Sequence, residues 1–332
     1  MMKIALFGSN DLQFGKVYTE AVLEHLASYG ELSERISKKN IDTYRDFLSD
    51  CEIAFATWGM PQFSEEEIRE YMPKLKMLFY SAGTVQYFAK PFLSCGVRVF
   101  SAFAANAVPV TEYTAAQITL ASKGFFQAAK HYRSCTPRAL MHVQNSPGNF
   151  GNKIGIIGLG AIGSEVAKRL SGLDAELFAY DPFVSEERAR ELNVKLTDLE
   201  TIFSECDVIS NHLANKKELN NIFNYRLFKL MKRNSVFINT GRGAQVSEWG
   251  LTLALIAHPS RTAVLDVIKR EFFPYINPLF WCPGAVLTPH MAGSSGREPQ
   301  RMAYYMTEQL ENYLAGRDMK YEVTAQMLEH MA

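Results

Sequence analysis

Three residues in the second half of the chain have side chains suited to the reduction of a carbonyl group. They are Arg242, Glu271 and His290. Hydride transfer to a keto acid needs a cation for the carboxylate, a proton donor for the carbonyl oxygen, and a group that keeps this donor protonated. Arginine, histidine and glutamate can supply these functions in that order.

Each of the three residues follows a short apolar run that predicts a buried strand. The runs are residues 236–239, 263–267 and 286–288. Ligands of open α/β sheets bind beyond the carboxyl ends of the strands. A lone histidine is more often a surface residue than a catalyst, so the agreement of three positions, and not His290 alone, predicts an active site here.

A glycine-rich turn indicates a second activity, the binding of a dinucleotide. The pattern G-x-G-x-x-G follows an apolar run directly and opens a helical pattern, so that a pyrophosphate can rest on the helix N-terminus. Eighteen residues after the last glycine stands Asp181, whose carboxylate can bind the adenosine ribose and would repel the 2′-phosphate of NADP. The pattern therefore predicts NAD. Its residues are Gly158, Gly160, Ala161, Ile162 and Gly163.

The elements that must position these residues alternate along the chain. Short apolar runs alternate with helical patterns, which is typical of βαβ units around parallel sheets. Residues 108–130 predict a connecting helix, residues 134–152 a loop, and residues 300–314 a last helix that returns to the first part of the chain. The runs are residues 4–7, 53–56, 75–80 and 97–100, and then 154–157, 177–180, 208–210, 236–239, 263–267 and 286–288.

Composition excludes several classes of protein. The 332 residues contain 35 Lys plus Arg and 35 Asp plus Glu, which gives no basic footprint for nucleic acid or an anionic membrane. The five cysteines form no C-x-x-C pair, so we expect no metal site and a reducing compartment, the cytoplasm. No run reaches 18 apolar residues, and the first apolar run is too short for a signal peptide. We expect a small-molecule substrate.

The chain resembles the D-isomer-specific 2-hydroxyacid dehydrogenase family over nearly its whole length. The distances of 29 residues from Arg242 to Glu271 and 19 residues from Glu271 to His290 are similar to those of the family. The ordered motifs are Asn106-Ala107 followed by Glu112, the glycine turn, the block from Met231-Lys232 to Arg242-Gly243, Leu265-Asp266-Val267, and Thr288-Pro289-His290.

The resemblance implies an NAD-dependent interconversion of a small 2-keto acid and its D-2-hydroxy acid. It implies that Arg242 anchors the substrate, that His290 is the acid/base and that Glu271 holds His290. By the same resemblance Thr240, Gly241 and Asp266 contact the cofactor, and the backbone of Ala82, Gly83 and Thr84 binds the substrate carboxylate.

The family also implies the architecture. We expect an α/β chain of two Rossmann-like, doubly wound parallel-sheet domains with the active site in the cleft between them. The substrate domain is discontinuous, 1–105 plus 297–332, and the NAD-binding domain is 106–296. A homodimer built mainly through the cofactor domains is implied as well.

Three further residues each allow two interpretations. His212 could contact the cofactor ribose or simply end a strand. Trp58 could face the cleft and the substrate or lie in the core under a turn. Asn106 could contact the nicotinamide or cap the long helix.

Departures from the family pattern bear on the substrate. Phe272 stands where proline is usual, Gly241 replaces a common alanine, and the loop before Gly151 lacks an expected tryptophan. Ser81 stands where phosphoglycerate-using relatives place an arginine, which predicts an unphosphorylated keto acid. Two other basic residues could still supply a cation for a phosphate, namely Arg98 and Lys90.

Two other functions fit parts of the pattern. A non-enzymatic, NAD(H)-sensing binding protein of the corepressor type would keep the same glycines. Formate dehydrogenase is disfavoured, because that branch carries glutamine where Glu271 stands.

Overall fold

A computed structural model of the chain describes residues 2–328. These residues form two compact units. Unit 1 comprises the described residues up to Ala107 and from Ser294 onwards, and unit 2 comprises Val108–Gly293. The chain passes from one unit to the other after Ala107 and after Gly293. These points lie two and three residues from the expected boundaries, which were after residues 105 and 296. In the described part of the chain, no helix is long and apolar enough to cross a membrane.

Unit 1 is built on a sheet whose described strands run in the order β13-β5-β4-β3-β1-β2. All neighbours are parallel except β13, which pairs antiparallel to β5. The strands are β1 Lys3–Phe7, β2 Glu31–Ile36, β3 Ile53–Ala56, β4 Met77–Tyr80, β5 Arg98–Ser101 and β13 Glu322–Val323. The helices are α1 Asp11–Val17, α2 Glu20–Ala27, α3 Arg45–Ser49, α4 Glu65–Tyr71, α5 Ala89–Ser94, the start of α6 Phe103–Ser122, α14 Pro299–Leu314 and α15 Ala325–Leu328.

Unit 2 is built on a parallel sheet in the order β12-β11-β10-β9-β6-β7-β8. The strand order reverses between β6 and β9, which is where open α/β sheets bind ligands. The strands are β6 Phe150–Ile157, β7 Asp174–Tyr180, β8 Lys195–Leu196, β9 Val208–Asn211, β10 Val236–Asn239, β11 Thr262–Leu265 and β12 Ala285–Leu287. The helices are the rest of α6, α7 Phe125–Tyr132, α8 Thr136–Gln144, α9 Ala161–Leu170, α10 Glu186–Glu191, α11 Leu199–Glu205, α12 Tyr225–Leu230 and α13 Glu248–Ala257.

The central strands of unit 2 are apolar because both faces of the sheet are covered. Successive side chains of a strand point to opposite faces. In β10, Val236 and Ile238 join the core that includes α9, whereas Phe237 joins the core that includes α11, α12 and α13. The predicted doubly wound parallel sheets are confirmed.

Several sequence predictions about elements were wrong in detail. The sheet of unit 2 has seven strands in the described chain and not six, since the two-residue strand β8 adds an edge. The predicted helix 108–130 is two helices, α6 and α7, because Gly124 adopts a left-handed φ of 67° between them. The predicted loop 134–152 contains α8 and the start of β6. The edge strand β2 was not predicted.

Candidate active site

The glycine turn lies between β6 and α9, at the position where the strand order reverses. Gly158 has a φ of +90°, and a Cβ there would lie 2.9 Å from the carbonyl carbon of His212. A Cβ on Gly163 would lie 1.9 Å from the Gly158 carbonyl oxygen, so only glycine lets the helix approach the strand. By contrast, a Cβ on Gly160 would meet nothing within 4 Å. This open space is where a pyrophosphate would approach the backbone.

The N-terminus of α9 is not neutralised by its own chain. Gly160 is the N-cap, no side chain caps the helix, and the first turn, which includes the exposed Ala161 and the half-buried Ile162, has no acidic residue. The first N–H groups of a helix have no intrahelical acceptor, and the helix dipole favours an anion beside them. The turn therefore fits a dinucleotide pyrophosphate.

Asp181 is held beside this turn. Its Oδ2 accepts the Leu159 N–H at 2.8 Å and its Oδ1 accepts the Phe183 N–H at 2.9 Å. A carboxylate oxygen can accept more than one hydrogen bond, so the group retains acceptors for ribose hydroxyls. The residues present fit NAD.

His212 follows β9 on the other side of the reversal. Its backbone N–H donates to Ile157 O at 2.7 Å, and its Nε2 lies 2.9 Å from Ser210 Oγ. Burial lowers the pKa of His212 to about 4, so the ring is neutral at pH 7. In the structure the His212 backbone pairs with β6 at the end of β9 and lies close to Gly158. Contact between His212 and the cofactor ribose stays a prediction.

Arg242, Glu271 and His290 lie beyond the carboxyl ends of three adjacent strands. They follow β10, β11 and β12, which are neighbours in the parallel sheet. The His290 Nδ1 lies 2.9 Å from Glu271 Oε2. Since an ionised carboxylate only accepts, Nδ1 is the donor in this bond. The other ring nitrogen, Nε2, has no hydrogen-bond partner among the described residues.

A tight loop presents His290. Its φ of 52° lies in the left-handed region, which is unusual for a residue with a side chain. Asp266, 2% exposed, holds this loop: its Oδ1 accepts the Thr288 hydroxyl at 2.6 Å and the Met291 N–H at 2.9 Å, and its Oδ2 accepts the Ala292 N–H at 2.9 Å. The carboxylate of Asp266 therefore supports the loop that carries the histidine.

The Arg242 guanidinium makes one protein hydrogen bond, from Nη1 to Gly241 O at 2.9 Å. Its other N–H groups have no hydrogen-bond partner in the part of the chain that the structure describes. Burial lowers the pKa of Arg242 and the nearby Glu271 carboxylate raises it, yet a guanidinium stays charged in proteins. Arg261 of the same unit differs, since its guanidinium donates to the carbonyl oxygens of Phe228, Lys229, Met231 and Lys232.

The remaining predicted residues are placed as follows. Thr240 is buried and its hydroxyl lies 3.1 Å from Thr114 Oγ1. Asn106 lies inside α6 and not at its start, so of its two interpretations the cap of this helix does not hold and contact with the nicotinamide stays a prediction; its Oδ1 accepts the Ser294 hydroxyl at 3.2 Å. Asn106 belongs to unit 1.

The predicted substrate loop follows β4 in unit 1. Ala82 is buried, Gly83 is half-buried and Thr84 is exposed. Trp58 is partly buried against the core of unit 1. Ser81, which stands where phosphoglycerate-using relatives place an arginine, is fully buried, and its Oγ lies 2.9 Å from the Tyr18 hydroxyl.

Sequence reasoning missed the polar side chains that support the site. Asn211, Asn239 and Gln245 are buried at the ends of β9 and β10 and in the 3₁₀ turn that follows. Asn239 ended a predicted apolar run and Asn211 directly followed another, which was the available signal. Their mutual contacts depend on strand order, which the sequence pattern does not give.

Comparisons with known proteins agree with this geometry. The family model of the D-isomer specific 2-hydroxyacid dehydrogenase, NAD binding domain, matches residues 116–292. The D-3-phosphoglycerate dehydrogenase of Archaeoglobus fulgidus is 31% identical over 236 residues, which are 70% of this chain and 44% of that protein. The chain thus matches less than half of that relative's length. The glyoxylate reductase of Korarchaeum cryptofilum is 28% identical over 272 residues, 81% of each protein.

Solved structures show the same fold. The NAD-complexed D-isomer specific 2-hydroxyacid dehydrogenase of Lactobacillus delbrueckii ssp. bulgaricus has a TM-score of 0.74 at 20% identity, covering 97% of this chain and 100% of that one. The prediction of NAD as the cofactor is confirmed by the match to an NAD-binding domain. That match extends over more than half of the chain and includes the glycine turn, Arg242, Glu271 and His290. The chain belongs to the D-isomer-specific 2-hydroxyacid dehydrogenase family.

Proposed function

We propose that the chain is an NAD-dependent oxidoreductase that interconverts a small 2-keto acid and its D-2-hydroxy acid. The observation that supports this most strongly is the pair formed by His290 and Glu271. One ring nitrogen is held by the carboxylate at 2.9 Å, and the other, which has no partner among residues 2–328, can exchange a proton. Arg242 follows a neighbouring strand at the same carboxyl end of the sheet, and most of its guanidinium donors have no partner in that part of the chain.

NADH, when bound, supplies the hydride, and the protein's residues manage charge and the proton. Arg242 pairs with the substrate carboxylate and polarises the carbonyl group. His290 donates its Nε2 proton to the carbonyl oxygen in reduction and accepts the hydroxyl proton in oxidation. The Glu271 carboxylate, 2.9 Å from Nδ1, balances the imidazolium charge. One hydride and one proton thus convert the C=O group into CH–OH.

The two units divide this work in our proposal. Unit 2 binds NAD through the glycine turn and Asp181, with Thr240 and Gly241 lining the site. Unit 1 binds the substrate carboxylate through the backbone of its loop 82–84. Asp266 contributes indirectly, because its carboxylate is used to hold the loop of His290.

The substrate we propose is an unphosphorylated 2-keto acid such as glyoxylate, pyruvate or hydroxypyruvate. A desolvated phosphate needs charge-assisted partners. Position 81 supplies none, since Ser81 faces the core, and Arg98 is already paired with Glu322 through bonds of 2.8 and 2.6 Å. A higher kcat/KM for 3-phosphohydroxypyruvate than for every unphosphorylated keto acid would contradict this choice.

We propose a homodimer formed through unit 2. The packed helices α7 and α8 expose a set of large apolar side chains, and such patches on soluble proteins mark interaction sites. They are Phe125, Tyr132, Leu140, Met141 and Val143. Light scattering after size exclusion should give twice the chain mass, and Leu140→Glu should shift the protein towards monomer. A monomeric wild type would refute the dimer.

The direct test follows NADH absorbance during incubation with a panel of 2-keto acids. We expect oxidation with at least one unphosphorylated member and none without keto acid. NADH binding without oxidation by any keto acid would instead favour the NAD(H)-sensing alternative.

A further inference from the structure

Three buried side-chain amides of unit 2 lie at the carboxyl ends of β9 and β10 and directly after Arg242. The reaction proposed above does not use them. Asn211 ends β9, Asn239 ends β10 and Gln245 lies in the 3₁₀ helix Gly243–Gln245. None exposes more than 1% of its surface. We call these three residues the amide cluster. Burial of an amide is costly unless its groups are hydrogen-bonded, so the partners show what the cluster holds.

Asn211 is the centre of the amide cluster. Its Nδ2 donates to Asn239 Oδ1 at 2.9 Å and to Gln245 Oε1 at 2.7 Å. Its Oδ1 accepts the Leu213 N–H at 3.1 Å. Gln245 Nε2 donates to the carbonyl oxygens of Leu213 at 3.2 Å and Ala214 at 2.8 Å. These bonds close a ring that joins the segment after β9 to the segment after β10.

Asn239 connects this ring to Arg242. Its Oδ1 accepts the Gly241 N–H at 3.0 Å, and its Nδ2 donates to the Arg242 carbonyl oxygen at 3.2 Å. The Arg242 guanidinium in turn donates to Gly241 O. The amide of Asn239 therefore holds the backbone on both sides of the turn from which the guanidinium extends.

Gly241 provides the space for the cluster. A Cβ at this position would lie 2.8 Å from Asn211 Nδ2 and 3.3 Å from both Asn239 Oδ1 and Gln245 Oε1. The φ of Gly241 is outside the left-handed region, so the backbone conformation does not require glycine. The amide cluster is therefore the physical reason for glycine at this position.

We propose that Asn211, Asn239 and Gln245 are positioning residues that fix the Arg242 guanidinium for the substrate carboxylate. This inference rests on the proposed function, in which Arg242 binds that carboxylate. A guanidinium and a carboxylate pair through two parallel hydrogen bonds, and small displacements weaken such geometry strongly. Loss of one amide leaves its partners unpaired and frees the turn, so substrate affinity falls.

The experiment replaces Gln245 by methionine, which keeps the length of the side chain and removes the amide. We expect the keto-acid KM to rise about 10-fold or more while the dissociation constant of NADH changes less than threefold. Gln127→Met is the matched control. Gln127 is a buried glutamine of the same unit that bonds to Thr262 at the opposite end of the sheet, 2.9 Å away. The control should lower the melting temperature without changing KM.

A cycle with Arg242→Lys separates the possible results. Arg242→Lys alone should raise the keto-acid KM, and an unchanged KM would refute the proposed role of Arg242. If the cluster acts through Arg242, Gln245→Met adds little to the KM of the Arg242→Lys protein. Additive effects, or a Gln245→Met enzyme with the KM of wild type, would overturn the positioning role. If Gln245→Met does not fold, Asn211→Leu is measured in its place with the same expectations.

Discussion

The turn from β1 to α1 in unit 1 and the turn from β6 to α9 in unit 2 both lead from a parallel strand into a helix. They differ in how the helix N-terminus is capped. In unit 1, Asn10 caps α1 by accepting the Gln13 N–H at 2.9 Å, and Asp11 places a carboxylate in the first turn. In unit 2, α9 has a glycine N-cap, no side-chain cap and no acidic residue in its first turn. One helix N-terminus is neutralised by its own chain, and the other is left for a ligand anion.

The same contrast extends to the carboxyl ends of the strands in both sheets. In unit 1, the Tyr18 hydroxyl hydrogen-bonds to Ala56 O and Ser81 Oγ, each at 2.9 Å. In unit 2, His290 Nε2 and most Arg242 donors have no partner among the described residues. Paired polar groups occupy the carboxyl end of the sheet in unit 1, whereas the unpaired donors at the carboxyl end of the sheet in unit 2 support our proposal that the reaction takes place there.

The largest effect is expected when the imidazole of His290, with its unpaired Nε2, is removed. His290→Ala should lower kcat for keto-acid reduction by about 10²- to 10⁴-fold, because a positioned acid/base group contributes that much. NADH titration should give an unchanged dissociation constant, since the glycine turn is untouched. Turnover within a few fold of wild type would remove His290 from the mechanism.

The second-largest effect is expected when an acidic residue is placed at the N-terminus of α9, as Asp11 is in the first turn of α1. Gly160→Asp places an acidic cap on α9, where the structure leaves open space. The helix should gain its cap, but the carboxylate repels the pyrophosphate, so NADH affinity should fall about 100-fold or more. Fluorescence titration measures the affinity and thermal unfolding checks the fold.

Gly160→Ala is the control for that substitution. It fills the same space with a methyl group and adds no charge or acceptor. Its NADH affinity should fall much less than that of Gly160→Asp. Equal losses in the two variants would show that space, and not an unneutralised helix N-terminus, determines binding.

A third, smaller effect concerns the partner of the histidine. Glu271→Gln removes a negative charge 2.9 Å from Nδ1, so the imidazolium becomes less favourable. Glutamine can still accept the Nδ1–H hydrogen bond, so the ring keeps its orientation and loses only the balancing charge. The kcat for keto-acid reduction should therefore fall about 10-fold, while the dissociation constant of NADH stays unchanged. A kcat equal to that of the wild type would exclude an electrostatic role for Glu271.

The smallest effect is expected in unit 1. Tyr18→Phe removes the hydroxyl that bonds to Ala56 and Ser81, which should lower the free energy of unfolding by about 1–2 kcal/mol. Denaturant unfolding measures the loss. The affinity for NADH should stay the same. A changed affinity would contradict a purely structural role for the Tyr18 hydroxyl.

The sequence predicted the position of the glycine turn, between a strand and a helix, better than it predicted several other elements. The glycine turn and Asp181 could be predicted because dinucleotide binding needs defined residue types at a defined spacing. The strand β2 was missed because Glu31, Glu34 and Arg35 give it no apolar run, as is usual at a sheet edge. Pro137, near the start of α8, was an overlooked helix signal within a polar segment.

Side-chain direction was the other limit. Ser81 lies directly after β4, where either a ligand or the core was conceivable, and only the tertiary structure shows that its hydroxyl bonds to Tyr18. Likewise, Asn211 and Gln245 are 34 residues apart in sequence and meet because β9 and β10 are neighbours. Strand order is a property of the whole sheet, and local patterns do not contain it.

The identity of the product tests the proposed function most directly. The protein is incubated with pyruvate or hydroxypyruvate and NADH, and the 2-hydroxy acid is separated by chiral chromatography. We predict one D-2-hydroxy acid formed for each NADH oxidised, and at least about 100-fold less product in the same time with His290→Ala. The L enantiomer, or NADH binding with no 2-hydroxy acid formed from any keto acid tested, would contradict the proposed function.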